Sequence, residues 1–140
     1  MSQTERKVVV LPCSGIGKVY GALAREIAYE VVERECPGKA VLTCLPLLVV
    51  EDQEALALIR ENPVITIDGC PKDCAMKTVK AHGGTAAMAL QAVNFYKAHK
   101  DLRPGGIAEL DPPGKELARV AAREMKEGIE RLSEGKDGAK

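Results

Sequence analysis

Cys70 and Cys74 bracket Pro71-Lys72-Asp73 in the stretch Thr66-Ile67-Asp68-Gly69-Cys70-Pro71-Lys72-Asp73-Cys74. If a helix opens at the first of them, positions i and i+4 stand one above the other and both sulfurs point at one spot. The local chemistry favours that opening. Cys70 suits the N-cap, and Pro71 suits the first helical position, where a missing N–H costs nothing. A thiolate is both a nucleophile and a metal ligand, so what else reaches the spot decides the chemistry. The chain holds three further cysteines, Cys13, Cys36 and Cys44.

The elements around them read as alternating strands and helices. Val8-Val9-Val10-Leu11 is a short apolar run rich in β-branched residues, as in a strand buried on both faces. The small-residue turn Cys13-Ser14-Gly15-Ile16-Gly17-Lys18 follows it. From Val19 the period changes: Tyr20, Leu23, Ala24, Ile27, Ala28 and Val31 form one face of an amphipathic helix that Pro37-Gly38 stops. Ala40 to about Cys44 reads as a second strand, and Leu45 to Val50, interrupted by Pro46, as a buried loop. Asp52 caps a short helix carrying Leu56 and Ile59 that ends before Asn62-Pro63.

Val64 to Asp68 is the third strand, and the helix after it runs through Met76 and Val79 to Gly83-Gly84. Ala89 to Tyr96 reads as a fourth strand, with a helix as the competing reading. His99 to Gly114, with Pro104-Gly105-Gly106 and Pro112-Pro113, is a loop, and Glu116 to Leu132 a long helix with Leu117, Ala121, Met125 and Ile129 on one stripe. The expectation is one α/β domain over residues 1–132, three layers with a mostly parallel sheet of about four strands and flanking helices, and a frayed tail over 133–140.

In a parallel sheet, functional groups collect beyond the carboxyl ends of the strands. Cys13, Cys44 and Cys70 each follow a different strand, and Cys74 lies one helical turn beyond Cys70, so four thiols are expected at one edge. A tetrahedral thiolate set suits zinc, with Zn–S near roughly 2.3 Å and a formal charge of about −2. Helix N-termini after Gly15 and Pro71, with Lys18, Lys72 and Lys77, would offset that charge. The same four thiolates suit an iron–sulfur cluster. A third reading is thiol redox or sulfur-transfer chemistry on Cys70 or Cys13, Cys70 being activated at a helix start beside lysines. Cys36, at the end of the first helix and the opposite edge, is a packed or surface thiol.

The turn after the first strand falls short of a phosphate loop, because Val19 follows Lys18 where Ser or Thr is needed and no glycine leads it. Asp68 is read as a hydrogen-bond acceptor in its turn, with an outer contact to the site or general-base work as alternatives. His82 is read as a favourable charge at a helix end. His99 is read as a solvated side chain.

Bulk properties agree with a thiol site and exclude other classes. With 140 residues the chain buries a core without staples, so cysteines are not required for stability. One Phe, three Tyr and no Trp leave that core to Val, Leu, Ile and Ala. Lys and Arg equal Asp and Glu in number, which provides no global field for nucleic acid or an anionic membrane. The segment before Val8 lacks the length and cleavage site of a signal peptide, and no stretch approaches the roughly 20 apolar residues of a membrane span. A cytoplasmic location follows as an expectation, and in a reducing compartment five cysteines point to metal or redox groups rather than disulfides.

With these residues in view the chain resembles the DGC-domain family, named for an Asp-Gly-Cys signature, over roughly Val8 to Tyr96. The resemblance rests on an apolar strand running into Cys13-Ser14-Gly15, on Cys44 in the middle segment, and on Asp68-Gly69-Cys70 followed by Cys74-Ala75. It implies zinc bound by the family's four cysteines, here Cys13, Cys44, Cys70 and Cys74, in a structural, sensing or metal-handling role. Neither the resemblance nor the residues imply a protein partner or substrate.

Overall fold

Alternating apolar residues on three parallel strands face two different helical layers. In the computed structural model, which describes residues 7–135 apart from Ser14, β1 spans Val8–Pro12, β2 Ala40–Leu42, β3 Val64–Asp68 and β4 Ala86–Gln91. The N-terminal residues through Arg6 and the tail from Lys136 lie outside the described residues, and with them most of the leader and frayed-tail readings. All pairings are parallel, in the order β2-β1-β3-β4. Val8, Val10, Ile65 and Ile67 pack on one face against Leu23, Ile27, Leu117 and Ile129. Val9, Leu11 and Val64 pack on the other against Leu48, Leu56, Ile59 and Val79.

The first layer holds α1 (Val19–Glu30), α5 (Ala92–Ala98) and α6 (Pro112–Ser133), and the second holds α2 (Leu45–Val49), α3 (Gln53–Glu61) and α4 (Cys74–Ala81). The chain is thus an α/β fold with a four-stranded parallel sheet between helices. α1 runs on through one π-helical turn, Val31–Glu35, before Gly38 at φ 81° turns the chain toward β2. Cys36 ends that turn and is 2% exposed inside the first core layer. The Asp52 cap forms as read, its carboxylate accepting from the Ala55 N–H at 3.0 Å. No described helix is long and apolar enough to cross a membrane.

Four local readings change. The stretch read as a buried loop forms the helix Leu45–Val49, because Pro46 falls in its first turn, where proline is tolerated; only Leu48 of it is buried. β4 begins earlier than Ala89 and stops at Gln91, and the competing helix takes over as α5, anchored by buried Ala92. Pro112 and Pro113 open α6 instead of closing a loop, with Asp111 as N-cap accepting from Gly114 N–H at 3.0 Å. His99 ends α5 and meets a Glu124 carboxylate oxygen at 2.7 Å through Nε2, so it is not merely solvated.

Candidate thiol site

The strand order reverses at β1, with β2 on one side of it and β3 on the other. In open parallel sheets the crevice outside such a switch point is where ligands bind. Cys13 directly follows the last residue of β1, Cys44 follows β2 by two residues, and Cys70 follows β3 by two. Cys13 and Cys70 are half-buried, whereas Cys44 and Cys74 are exposed.

The loops after β1 and β3 meet through backbone. The Gly69 N–H donates to Cys13 Sγ at 3.1 Å, and the Gly15 N–H supports the same sulfur. Close approach is possible because three glycines interlock there. A Cβ on Gly69 would stand 2.8 Å from the Gly21 nitrogen and from the Tyr20 carbonyl carbon, and one on Gly21 would stand 2.3 Å from the Gly15 carbonyl oxygen. Sequence reasoning overlooked Gly21. Its signal was a glycine inside a helical pattern, which costs about 1 kcal/mol relative to alanine and therefore marks a packing constraint.

The expected helix start at Cys70 is corrected. α4 begins at Cys74, its N-cap is Asp73 in the left-handed region at φ 57°, and residues 70–73 form a turn. Cys70 and Cys74 therefore do not stack on one helical face, and Cys70 loses the helix-start position from which its activation was inferred. The α4 N-terminus is served from further away. Asp68, 2% exposed at the end of β3, accepts from the Ala75 N–H at 2.7 Å and the Met76 N–H at 3.2 Å. Asp73 instead accepts a hydrogen bond from the Gln91 side chain. Each residue of the Asp-Gly-Cys triplet thus has a separate place: a carboxylate that caps α4, a glycine that lets two loops touch, and a thiol beside them.

Burial raises the Asp68 carboxyl above the ordinary aspartate value; the two N–H donors oppose this and the nearby Asp73 charge adds to it. Asp68→Ala strips two N–H groups of their acceptor and is expected to cost about 1–3 kcal/mol by urea unfolding. Asp68→Asn keeps an acceptor and sheds the buried charge, so it is expected to cost less. Equal losses would show that the charge, not the acceptor, matters.

Burial likewise raises the Cys13 thiol above the usual cysteine value. The Gly15 and Gly69 N–H groups oppose the shift, while Asp68 and Cys70 add to it. Cys13 therefore keeps its proton at neutral pH and becomes thiolate only as pH climbs past the ordinary cysteine range. In chelator-treated protein, iodoacetamide should label Cys13 more slowly at pH 7 than exposed Cys44 and Cys74, with the gap narrowing above about pH 9. Labelling of Cys13 that leads at pH 7 would contradict this.

The four thiols are not preassembled. Among the described residues no three His, Cys, Asp or Glu side chains stand together so as to hold an ion. Their chemistry as a donor set still fits a soft or borderline ion. His82 closes α4, its Nδ1 2.9 Å from the Thr78 carbonyl oxygen. A cleft of about 640 Å³ opens between α1 and the segment that runs from β2 into α2, with Cys13 and Cys44 both in its wall.

Comparison with known proteins agrees with the sequence pattern. The family model described as DGC domain matches residues 9–110, well over half of the chain. No curated protein and no solved structure matches the chain.

Proposed function

The chain belongs to the DGC domain family, and from that premise we propose that it binds zinc through Cys13, Cys44, Cys70 and Cys74. The observation that carries the reading is the hydrogen bond from the Gly69 N–H to Cys13 Sγ, which ties the first cysteine loop to the third. Cys44 enters from the neighbouring strand, and exposed Cys74 lies at the first turn of α4. The role proposed for the ion is structural, sensing or metal-handling, since zinc binding itself draws such ligands together. Four sulfur ligands leave no open position for a substrate, so the ion supplies binding rather than catalysis.

Several groups of the chain favour the bound form. Backbone N–H groups of Gly15 and Gly69 already point at Cys13 and would stabilise its thiolate, offsetting part of the cost of burial. Deprotonation accompanies binding, so affinity should rise with pH.

Elemental analysis of protein purified without chelator tests the reading, with about one zinc per chain expected. Metal-free protein whose four thiols all titrate freely would overturn it. A brown, iron-containing product from anaerobic purification would replace zinc with an iron–sulfur cluster on the same sulfurs.

A further inference from the structure

The fourth strand ends at the thiol edge without a cysteine of its own. Its last residue is Gln91, in register with Asp68 at the end of β3. Gln91 is also the N-cap residue of α5, yet its side chain makes no capping hydrogen bond to that helix. The side-chain amide instead donates to a carboxylate oxygen of Asp73, and its Nε2 stands 3.4 Å from the Cys70 carbonyl oxygen. Both contacts are partly buried and span 18 and 21 residues of chain. One amide therefore grips both ends of the turn that lies between Cys70 and Cys74.

That turn is not the arrangement its residues favour. Pro71 suits a first helical position, and a helix extended back to Cys70 would need Asp73 in the right-handed region. Asp73 has φ 57° instead, where an L-residue brings Cβ too close to the following carbonyl oxygen. Such a conformation persists when the surroundings over-determine it, and strain of this kind collects at functional sites. Within the turn one backbone bond acts, from the Asp73 N–H to the Cys70 carbonyl oxygen at 3.3 Å. Asp68 serves the Ala75 and Met76 N–H groups beyond the turn, and the Asp73 carboxylate caps nothing in its own helix. The tie on that carboxylate comes from Gln91.

We propose that Gln91 is a positioning residue of the thiol site, which fixes the turn of residues 70–73 and through it places Cys70 and Cys74 for the ion. Placement for the ion rests on the zinc reading. Fixing of the turn does not, and it can be read on metal-free protein.

Gln91→Met keeps the length of the side chain and removes its donors. In chelator-treated protein, amide hydrogen exchange over residues 72–76 should accelerate about tenfold or more, the size of one hydrogen bond to a charged group. Exchange in β3 and α6 should stay unchanged, whereas general loosening would accelerate all three. In zinc competition against a chromophoric chelator, the same variant should lose about 10- to 100-fold in affinity, as is typical of partners outside a coordination shell. Asp73→Gly supplies the rescue, because glycine adopts a positive φ without strain. In that background Gln91→Met should cost no more than about twofold, the scatter between uncoupled sites. Unchanged exchange over residues 72–76, or acceleration spread over the whole chain, would overturn the role of Gln91 in the turn. Undiminished zinc affinity in Gln91→Met, or equal losses in the wild-type and Asp73→Gly backgrounds, would overturn its role at the site. A wild-type chain that takes up no zinc would end the zinc reading and placement for the ion with it, and the exchange measurement would still decide whether Gln91 holds the turn.

Discussion

Gly21→Ala is expected to destabilise the protein by about 3 kcal/mol, the upper part of the range for overpacking a closed contact. The added Cβ would meet the Gly15 carbonyl oxygen at 2.3 Å and the Gly15 Cα and nitrogen at 2.8 Å. All three are backbone atoms, so relief requires the β1–α1 loop to move as a whole. Helix propensity alone predicts the opposite sign, since alanine is favoured over glycine by about 1 kcal/mol in a helix interior. Gly128→Ala in α6 is the matched control. Its Cβ would meet only the Met88 thioether, at 3.4 Å and beyond, and the substitution should gain up to about 1 kcal/mol. Urea unfolding of both variants reads the two signs side by side. A neutral or stabilising Gly21→Ala would mean that the glycine interlock is not a constraint on the fold. Gly69→Ala should fall between them and should also displace the N–H that now donates to Cys13, since its Cβ collides with the backbone of Tyr20 and Gly21 from 2.8 Å.

Replacing any one of Cys13, Cys44, Cys70 or Cys74 by serine should lower zinc affinity by more than the roughly 10- to 100-fold typical of losing a partner outside the coordination shell. Competition against a chromophoric chelator measures it. Cys36→Ser is the control, because Cys36 belongs to the apolar core beside Val31 and lies at the other edge of the sheet. It should leave zinc stoichiometry unchanged while costing about 1–3 kcal/mol of stability, the burden of burying a hydroxyl where a thiol had packed. Loss of zinc in the Cys36 variant equal to that in the other four would remove the assignment of ligands. Retention of zinc in all four single variants would do the same.

Features set by neighbours in sequence are legible in the residues, and features set across the sheet are not. Val8 to Leu11 and Val64 to Asp68 were legible as buried strands because β-branched runs bounded by turns have few other uses. The Asp52 cap was legible because an N-cap acts within three residues. Asp68 was not legible as the acceptor for α4, since it reaches the Ala75 and Met76 N–H groups across a turn that spacing alone reads as helix. The same misreading stacked Cys70 over Cys74. A left-handed Asp73 breaks that stack, and no propensity of the surrounding residues announces it.

From its residues alone, then, this chain is a parallel α/β sheet between helices, with cysteines following three of its strands and an Asp-Gly-Cys triplet at the third. Those properties depend on period, on punctuation by glycine and proline, and on order along the chain, all of which are local. The tertiary structure decided which loops touch. The order β2-β1-β3-β4 sets the β1 and β3 loops side by side, and glycines at 15, 21 and 69 let their backbones approach closely enough for one N–H to reach Cys13. It also decided that the sulfurs are not drawn into a finished cage and that a cleft with Arg25 in its wall adjoins two of them. Distances between loops follow from packing over the whole sheet, and no spacing in the sequence contains them.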